Sequence, residues 1–148
     1  MVWGCISYHG VGKLQMIEAT MDKVMYMDIL KKNLKQSAEV MGISEVFHFY
    51  QDNDPKHKSR LVQEWLLYNC PKIMQTPPQS PDLNPIEMVW NMLDTKIRRH
   101  SITNKKDLQS RLQEEWLKMD NNYLKTLVGS MPKRLAEVIR QKGYATKY

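Results

Sequence analysis

Cysteine is almost missing from this sequence. Cys5 and Cys70 are the only two, they lie far apart, and neither has a CxxC partner. That excludes a disulfide framework and a thiolate zinc site. Long apolar runs are missing too: none approaches the roughly 18 residues that a membrane span needs. The opening MVWGCISYHG has neither the basic start nor the apolar stretch of a secretory signal. A reducing, intracellular setting with no membrane partner is therefore expected. There is no internal repeat and no low-complexity tract, which removes solenoids and disordered linkers from consideration. What remains is ordinary for one globular domain: 148 residues, 42% hydrophobic and 26% charged.

Charge is present in excess and unevenly spread. Residues 1–87 hold 9 Lys/Arg against 10 Asp/Glu, a balance of −1, while residues 88–148 hold 13 against 6, a balance of +7. A basic half beside a neutral half points toward a polyanionic partner such as nucleic acid. A solvated helical surface explains the same excess without any partner.

The pattern of residues predicts an α/β layered domain with a mixed sheet. Residues 1–7 read as a strand, and the glycine-flanked turn at 8–12 sends the chain back through 13–19 as a hairpin. Asp22 can cap a helix to about Met41, with Met25, Ile29, Leu30, Leu34 and Ala38 near one face and Gly42 as its stop. Residues 45–50, EVFHFY, have the composition of a buried strand. A helix over 59–68, a short strand over 72–75 and the proline-rich TPPQSPDLNP then lead into helices at 86–100, 105–119 and 123–142, the last broken near Pro132.

Two short stretches carry more polar chemistry than their positions need. The first is QDNDPKH, residues 51–57, directly after the predicted strand. An acid there emerges at the carboxyl edge, where open α/β sheets bind ligands. Asp52, Asn53 and Asp54 could together hold a hard cation through oxygen. Equally, Asx residues initiate turns and Pro55 continues one. A calcium-binding loop is excluded, since His57 and Gln63 stand where glycine and glutamate are required. The second stretch is SPDLNPIE, residues 80–87. Asn84, Pro85 and Glu87 fit the N-cap, first and third positions of a helix, a capping box that accounts for Glu87 with no function at all. The alternative is that Glu87, rigid in a first helical turn, points across to another acid. Between Asp52 and Glu87 lie 34 residues, enough for a βαβ unit that returns the chain to the same sheet edge. Two carboxylates meeting there around a metal pair could run in-line displacement at phosphorus.

With MVWGC at the start, QDNDPKH in the middle, QSPDLNPIEMVW ahead of the long helix and SMPKRLAEVIRQKGYATKY at the end, the chain resembles the catalytic region of a mariner-superfamily DNA transposase. It resembles the branch with 34 residues between the last two acids. The resemblance implies a ribonuclease H-like fold in which residues 1–100 form the partial catalytic domain and 101–148 its helical extension. It maps the family's second and third catalytic acids onto Asp52 and Glu87, both ligands of a two-ion Mg2+ or Mn2+ site. Asn53, His57 and Asn84 become supporting residues. It implies cleavage of DNA at transposon ends and strand transfer into a target, in the nucleus, with a homo-oligomer or a full-length transposase as protein partner. Arg98, Arg99, Lys105 and Lys106 are the candidate DNA contacts in the basic half. Trp90, with Ile86, Leu93 and Ile97, is expected to face the core.

The same resemblance places a first acid on a strand ahead of the one reading MVWGC, central in the sheet. Glu18, Asp22 and Asp28 do not match that position. The expectation is therefore an incomplete fold, its sheet short of the first, central strand, with little strand transfer by this chain alone. A non-enzymatic product that keeps DNA binding or protein association is the competing expectation.

Overall fold

A computed structural model describes residues 1–77, 80 and 83–142. Pro78, Gln79, Pro81 and Asp82 of the proline-rich connection, and the carboxyl-terminal GYATKY, lie outside the described residues. The chain divides into two compact units, one of residues 1–6 and 11–79, the other of residues 7–10 and 80–148.

In the first unit, strand β1 (Val2–Ser7) turns back into β2 (Gly10–Met16). Met1 and Ile17 close the open end by exchanging backbone hydrogen bonds in both directions. Helix α1 (Lys23–Val40) starts where the sequence predicts: the Asp22 carboxylate accepts from the Val24 and Met25 N–H groups, which are orphan donors at any helix start. It ends at Met41, and Gly42 takes the left-handed φ of +69° that releases the chain. Tyr26, not Met25, joins Ile29, Leu30, Leu34 and Ala38 on the buried face. Gly12 brings β2 tight against α1, because a Cβ there would lie 2.5 Å from the Ser37 Cβ and 2.6 Å from the Cys5 Sγ. Ser37 answers by accepting a hydrogen bond from the Lys13 N–H at 2.9 Å.

Strand β3 is shorter than its composition suggests, covering His48–Tyr50 only. Ser44, Glu45 and Val46 form a turn instead, Phe47 is irregular, and Val46 is 70% exposed. The apolar letters of that run are thus not a buried strand; Phe49 alone is buried. Helix α2 (Arg60–Asn69) then crosses to β4 (Lys72–Met74), which pairs parallel with β3 in the register His48 to Lys72, Phe49 to Ile73 and Tyr50 to Met74. This is the expected β-α-β step, and it sets Gln51 and Gln75 leaving the same sheet edge. Among the described residues the strands make two pairs, β1 with β2 and β3 with β4. Trp3, Ile17, Tyr26, Ile29, Leu30, Phe49, Val62 and Leu66 form the core of the unit. Burying each large apolar side chain contributes about 1.5–3 kcal/mol before entropy is subtracted.

The second unit is helical. It holds α3 (Pro85–Ile97), α4 (Lys105–Leu117), α5 (Asn121–Gly129) and α6 (Met131–Arg140), the last two meeting at Ser130. The predicted break therefore falls just ahead of Pro132, which sits in the first turn of α6 where its missing N–H costs nothing. Leu83, Val89, Leu93, Ile97, Trp116, Leu124 and Leu127 are buried. Val89 takes the core position expected of Ile86, and Trp90 is half-buried, stacked on Trp116 with ring centroids 5.3 Å apart. Arg134 is buried, its guanidinium reaching the Ser130 hydroxyl and the Met88 sulfur. No described helix is long and apolar enough to cross a membrane.

Candidate active site: two acid-bearing elements

Asp52 leaves β3 one residue past Gln51, and its own hydrogen bonds stay within the loop. Its Oδ1 accepts the Asp54 N–H at 3.1 Å and lies 2.5 Å from His57 Nδ1. Asp54 repeats the turn: its Oδ1 accepts the Lys56 N–H and its Oδ2 pairs with the Lys56 ammonium, both within 2.9 Å. Burial works against the Asp54 carboxylate, but the two Lys56 hydrogen bonds outweigh it and hold its pKa below the usual range. The Asx-turn reading of QDNDPKH is therefore realised. It does not consume Asp52, whose side chain stays 49% exposed, with every hydrogen bond it makes among the described residues falling on Oδ1.

The rest of the motif anchors this loop. Asn53 Nδ2 donates to the carbonyls of Thr76 and Pro77 at 2.9 Å each, tying the loop after β3 to the loop after β4. The Thr76 hydroxyl donates to the Gln51 carbonyl. Gln51 and Gln63 both donate their side-chain amides to the His57 carbonyl, at 3.3 and 3.0 Å. The His57 ring lies stacked on Tyr26, centroids 3.9 Å apart, and the Tyr26 hydroxyl donates to Gln51 Oε1 at 2.7 Å. Burial, and after it the Asp52 charge, pushes the Tyr26 phenol far above its ordinary pKa, so it remains a donor. Tyr26, Gln51, Gln63 and Thr76 were not legible as site residues. Tyr26 stands on a different element, and local spacing has no sign for a contact of that range.

Glu87 stands in the first turn of α3, and its setting corrects one expectation. The capping box is not formed. Asn84 is the N-cap residue but its side chain caps nothing, and its Nδ2 merely approaches Glu87 Oε1 at 3.5 Å. The reason lies in the backbone: the Glu87 N–H donates to the Asn84 carbonyl at 3.1 Å, leaving no call on the Asn84 oxygen. Glu87 is exposed, and among the described residues its carboxylate accepts from no backbone N–H. The bland account of Glu87 thus falls away. The amino-terminal end of a helix also favours a negative charge there.

Asp52 belongs to the first unit and Glu87 to the second. The structure joins Asp52 to His57 and Glu87 to Asn84, while Asn53 serves the β3–β4 edge. The basic candidates lie in the second unit and all are exposed. Arg98 is paired with Asp94 at 2.7 Å. Arg99 and Lys106 carry no side-chain ion pair among the described residues.

As a metal site the donors are of the right kind and few in number. Asp52 Oδ2 and the Glu87 carboxylate are hard oxygen ligands suited to Mg2+ or Mn2+. Among the described residues no group of three His, Cys, Asp or Glu side chains lies placed to hold an ion.

Comparison with known proteins identifies the family and the fold. Residues 1–109 match the family described as DDE superfamily endonuclease. The Tcb1 transposase of Caenorhabditis briggsae is 40% identical over the whole chain, and the Tc1 transposase of Caenorhabditis elegans is 36% identical. In both cases the chain spans 54% of the relative's length, so it corresponds to about half of each. Among solved structures, the Mos1 transposase catalytic domain with raltegravir and Mn superposes with a TM-score of 0.85 at 18% identity, covering 99% of this chain and 76% of that one. A Mos1 paired-end complex with the left transposon end gives 0.84 at 19%, covering 99% and 43%. At such identity the likeness establishes the fold. It is the ribonuclease H-like α/β fold of that catalytic domain, with an incomplete sheet as expected.

Proposed function

Because the chain belongs to the DDE superfamily endonuclease family, in its mariner and Tc1 transposase branch, we propose that it is a transposase catalytic region built for metal-dependent cleavage and strand transfer of DNA. Asp52 and Glu87 are the catalytic carboxylates, and Mg2+ or Mn2+ is the cofactor. When bound, the ions supply a nucleophilic oxygen at neutral pH and neutralise charge on the leaving oxygen. The protein's part is placement. Asp52 offers a single oxygen from a loop fixed to two strand ends, and Glu87 offers its carboxylate from a helix start that its own cap leaves unused. The observation that carries the reading is a pair of exposed acids, Asp52 with Oδ2 and Glu87 with its carboxylate still available, on the two motifs that carry the resemblance. Transposon ends and target DNA are the substrates, the nucleus the setting, and residues 101–148 the helical extension of a partial domain at 1–100. Arg99 and Lys106, with Arg98 and Lys105 beside them, are the phosphate contacts.

A second reading has its own support. The described residues gather no three-acid cluster, and two carboxylates leave a pair of hard cations short of ligands. On that reading the chain binds DNA through its basic half, or associates with a full-length transposase or a second copy, without cutting. Incubation of the 148-residue chain with transposon-end DNA and Mn2+ separates the two. We expect salt-sensitive binding with little nicked product. Robust nicking abolished by Asp52→Ala would make the chain a sufficient enzyme and overturn the second reading.

A further inference from the structure

We propose that His57 is a positioning residue that makes Asp52 a one-oxygen ligand for a single divalent cation. The inference rests on the assignment of Asp52 as a metal ligand. A carboxylate oxygen can only accept, so the 2.5 Å contact to Asp52 Oδ1 requires the proton on His57 Nδ1. With the Asp54 N–H also on Oδ1, that oxygen carries two donors and Oδ2 carries none among the described residues. A cation is then met by Oδ2 alone, in an orientation the imidazole sets.

The imidazole lies on the Tyr26 ring, and the backbone that carries it is fixed as well: the His57 carbonyl accepts from Gln51 and Gln63, and Gln51 is held in turn by the Tyr26 hydroxyl. Packing alone does not explain a histidine here. His57 Nε2 is buried and has no hydrogen-bond partner among the described residues, so it loses its water without return. A phenylalanine would stack on Tyr26 and avoid that loss. What phenylalanine lacks is the Nδ1–H aimed at Asp52. Partners of this kind, hydrogen-bonded to a metal ligand, fix ligand orientation, and losing one typically weakens metal binding 10- to 100-fold.

The test crosses two variants of the 148-residue chain, with Mn2+ binding read by the electron spin resonance of the free ion and folding read by thermal melting. His57→Phe keeps the ring stack and loses the donor; we expect Mn2+ affinity to fall about tenfold with the melting temperature kept or raised. His57→Asn keeps an N–H near the Nδ1 position and loses the stack; we expect near-wild-type affinity and a lower melting temperature. Affinity that follows the stack instead of the donor would overturn the proposal, as would unchanged affinity in both. Asp52→Asn separates the two claims: if it leaves Mn2+ binding intact, Asp52 is not a ligand and the underlying reading fails. Should His57→Phe not fold, proton NMR of the wild-type chain decides instead. A downfield imidazole N–H resonance lost in Asp52→Asn supports the pairing, and no such resonance refutes it.

Discussion

Asp52 sits in a loop where nearly every polar neighbour is engaged, whereas Glu87 stands on a helix start whose expected cap bond is missing. The first acid accepts hydrogen bonds from Asp54 and His57, and its loop is tied in turn to Tyr26, Gln63 and Thr76. The second is held by backbone geometry and by apolar packing beneath α3. Loops carry unsatisfied backbone groups and need such a cage to be rigid. A helix supplies its own rigidity once one face is buried. The two acids can therefore answer to the same chemistry while depending on different kinds of residue for their placement.

Substitutions in the two settings should separate these dependences. The largest effect is expected at Trp116, fully buried and stacked on Trp90 of α3: Trp116→Ala should cost about 3–5 kcal/mol in urea unfolding, loosening the platform under Glu87. Next is Gly12→Ala, whose Cβ has no room against Ser37 and Cys5; overpacking of that kind costs roughly 1–3 kcal/mol. Asn53→Ala removes two of the links between the loops after β3 and β4, leaving the Thr76 hydroxyl on the Gln51 carbonyl, and should cost about 1–3 kcal/mol. Its counterpart in the other setting is Asn84→Ala. A working N-cap asparagine would cost ~1 kcal/mol to remove, but this one makes no cap bond, so the change should stay within about 0.5 kcal/mol. Equal losses at Asn53 and Asn84 would erase the contrast between caged loop and bare helix start.

A pH effect sharpens the same contrast inside the first unit. Burial pushes the Cys5 thiol, beside Gly12 and Ser37, up to about 11. The unfolded thiol ionises near pH 8.5 by comparison. Stability from keeping Cys5 protonated is therefore complete below that pH and lost as pH rises toward 11. Cys5→Ala should flatten this alkaline fall in a urea series, and an unchanged slope would place the loss elsewhere.

Much of the fold was legible because its signals are local. Asp22 as N-cap, Gly42 as stop and the break near Pro132 all depend on residues within one turn of one another, and the β-α-β step follows from the order of such short elements. The errors have physical causes of another kind. Val46 and Phe47 have strand-like side chains, but nothing covers Val46, and without a covering layer the chain turns there. The N-x-x-E spacing at Asn84 permits a capping box without requiring one, because the Asn84 carbonyl already takes the Glu87 N–H. At the site, Asp52, Asn53 and His57 announced themselves as one polar cluster after a strand. Tyr26 did not, since its ring meets His57 only once α1 and the loop are folded onto each other.

The central proposal is that Asp52 and Glu87 are each ligands of a divalent cation. Loading the chain with Fe2+ in place of Mg2+ and triggering local hydroxyl-radical cleavage of the backbone tests it most directly. The account predicts cuts near both residue 52 and residue 87, the first lost in Asp52→Asn and the second in Glu87→Gln. Cleavage near either acid that persists when that acid is substituted would contradict it.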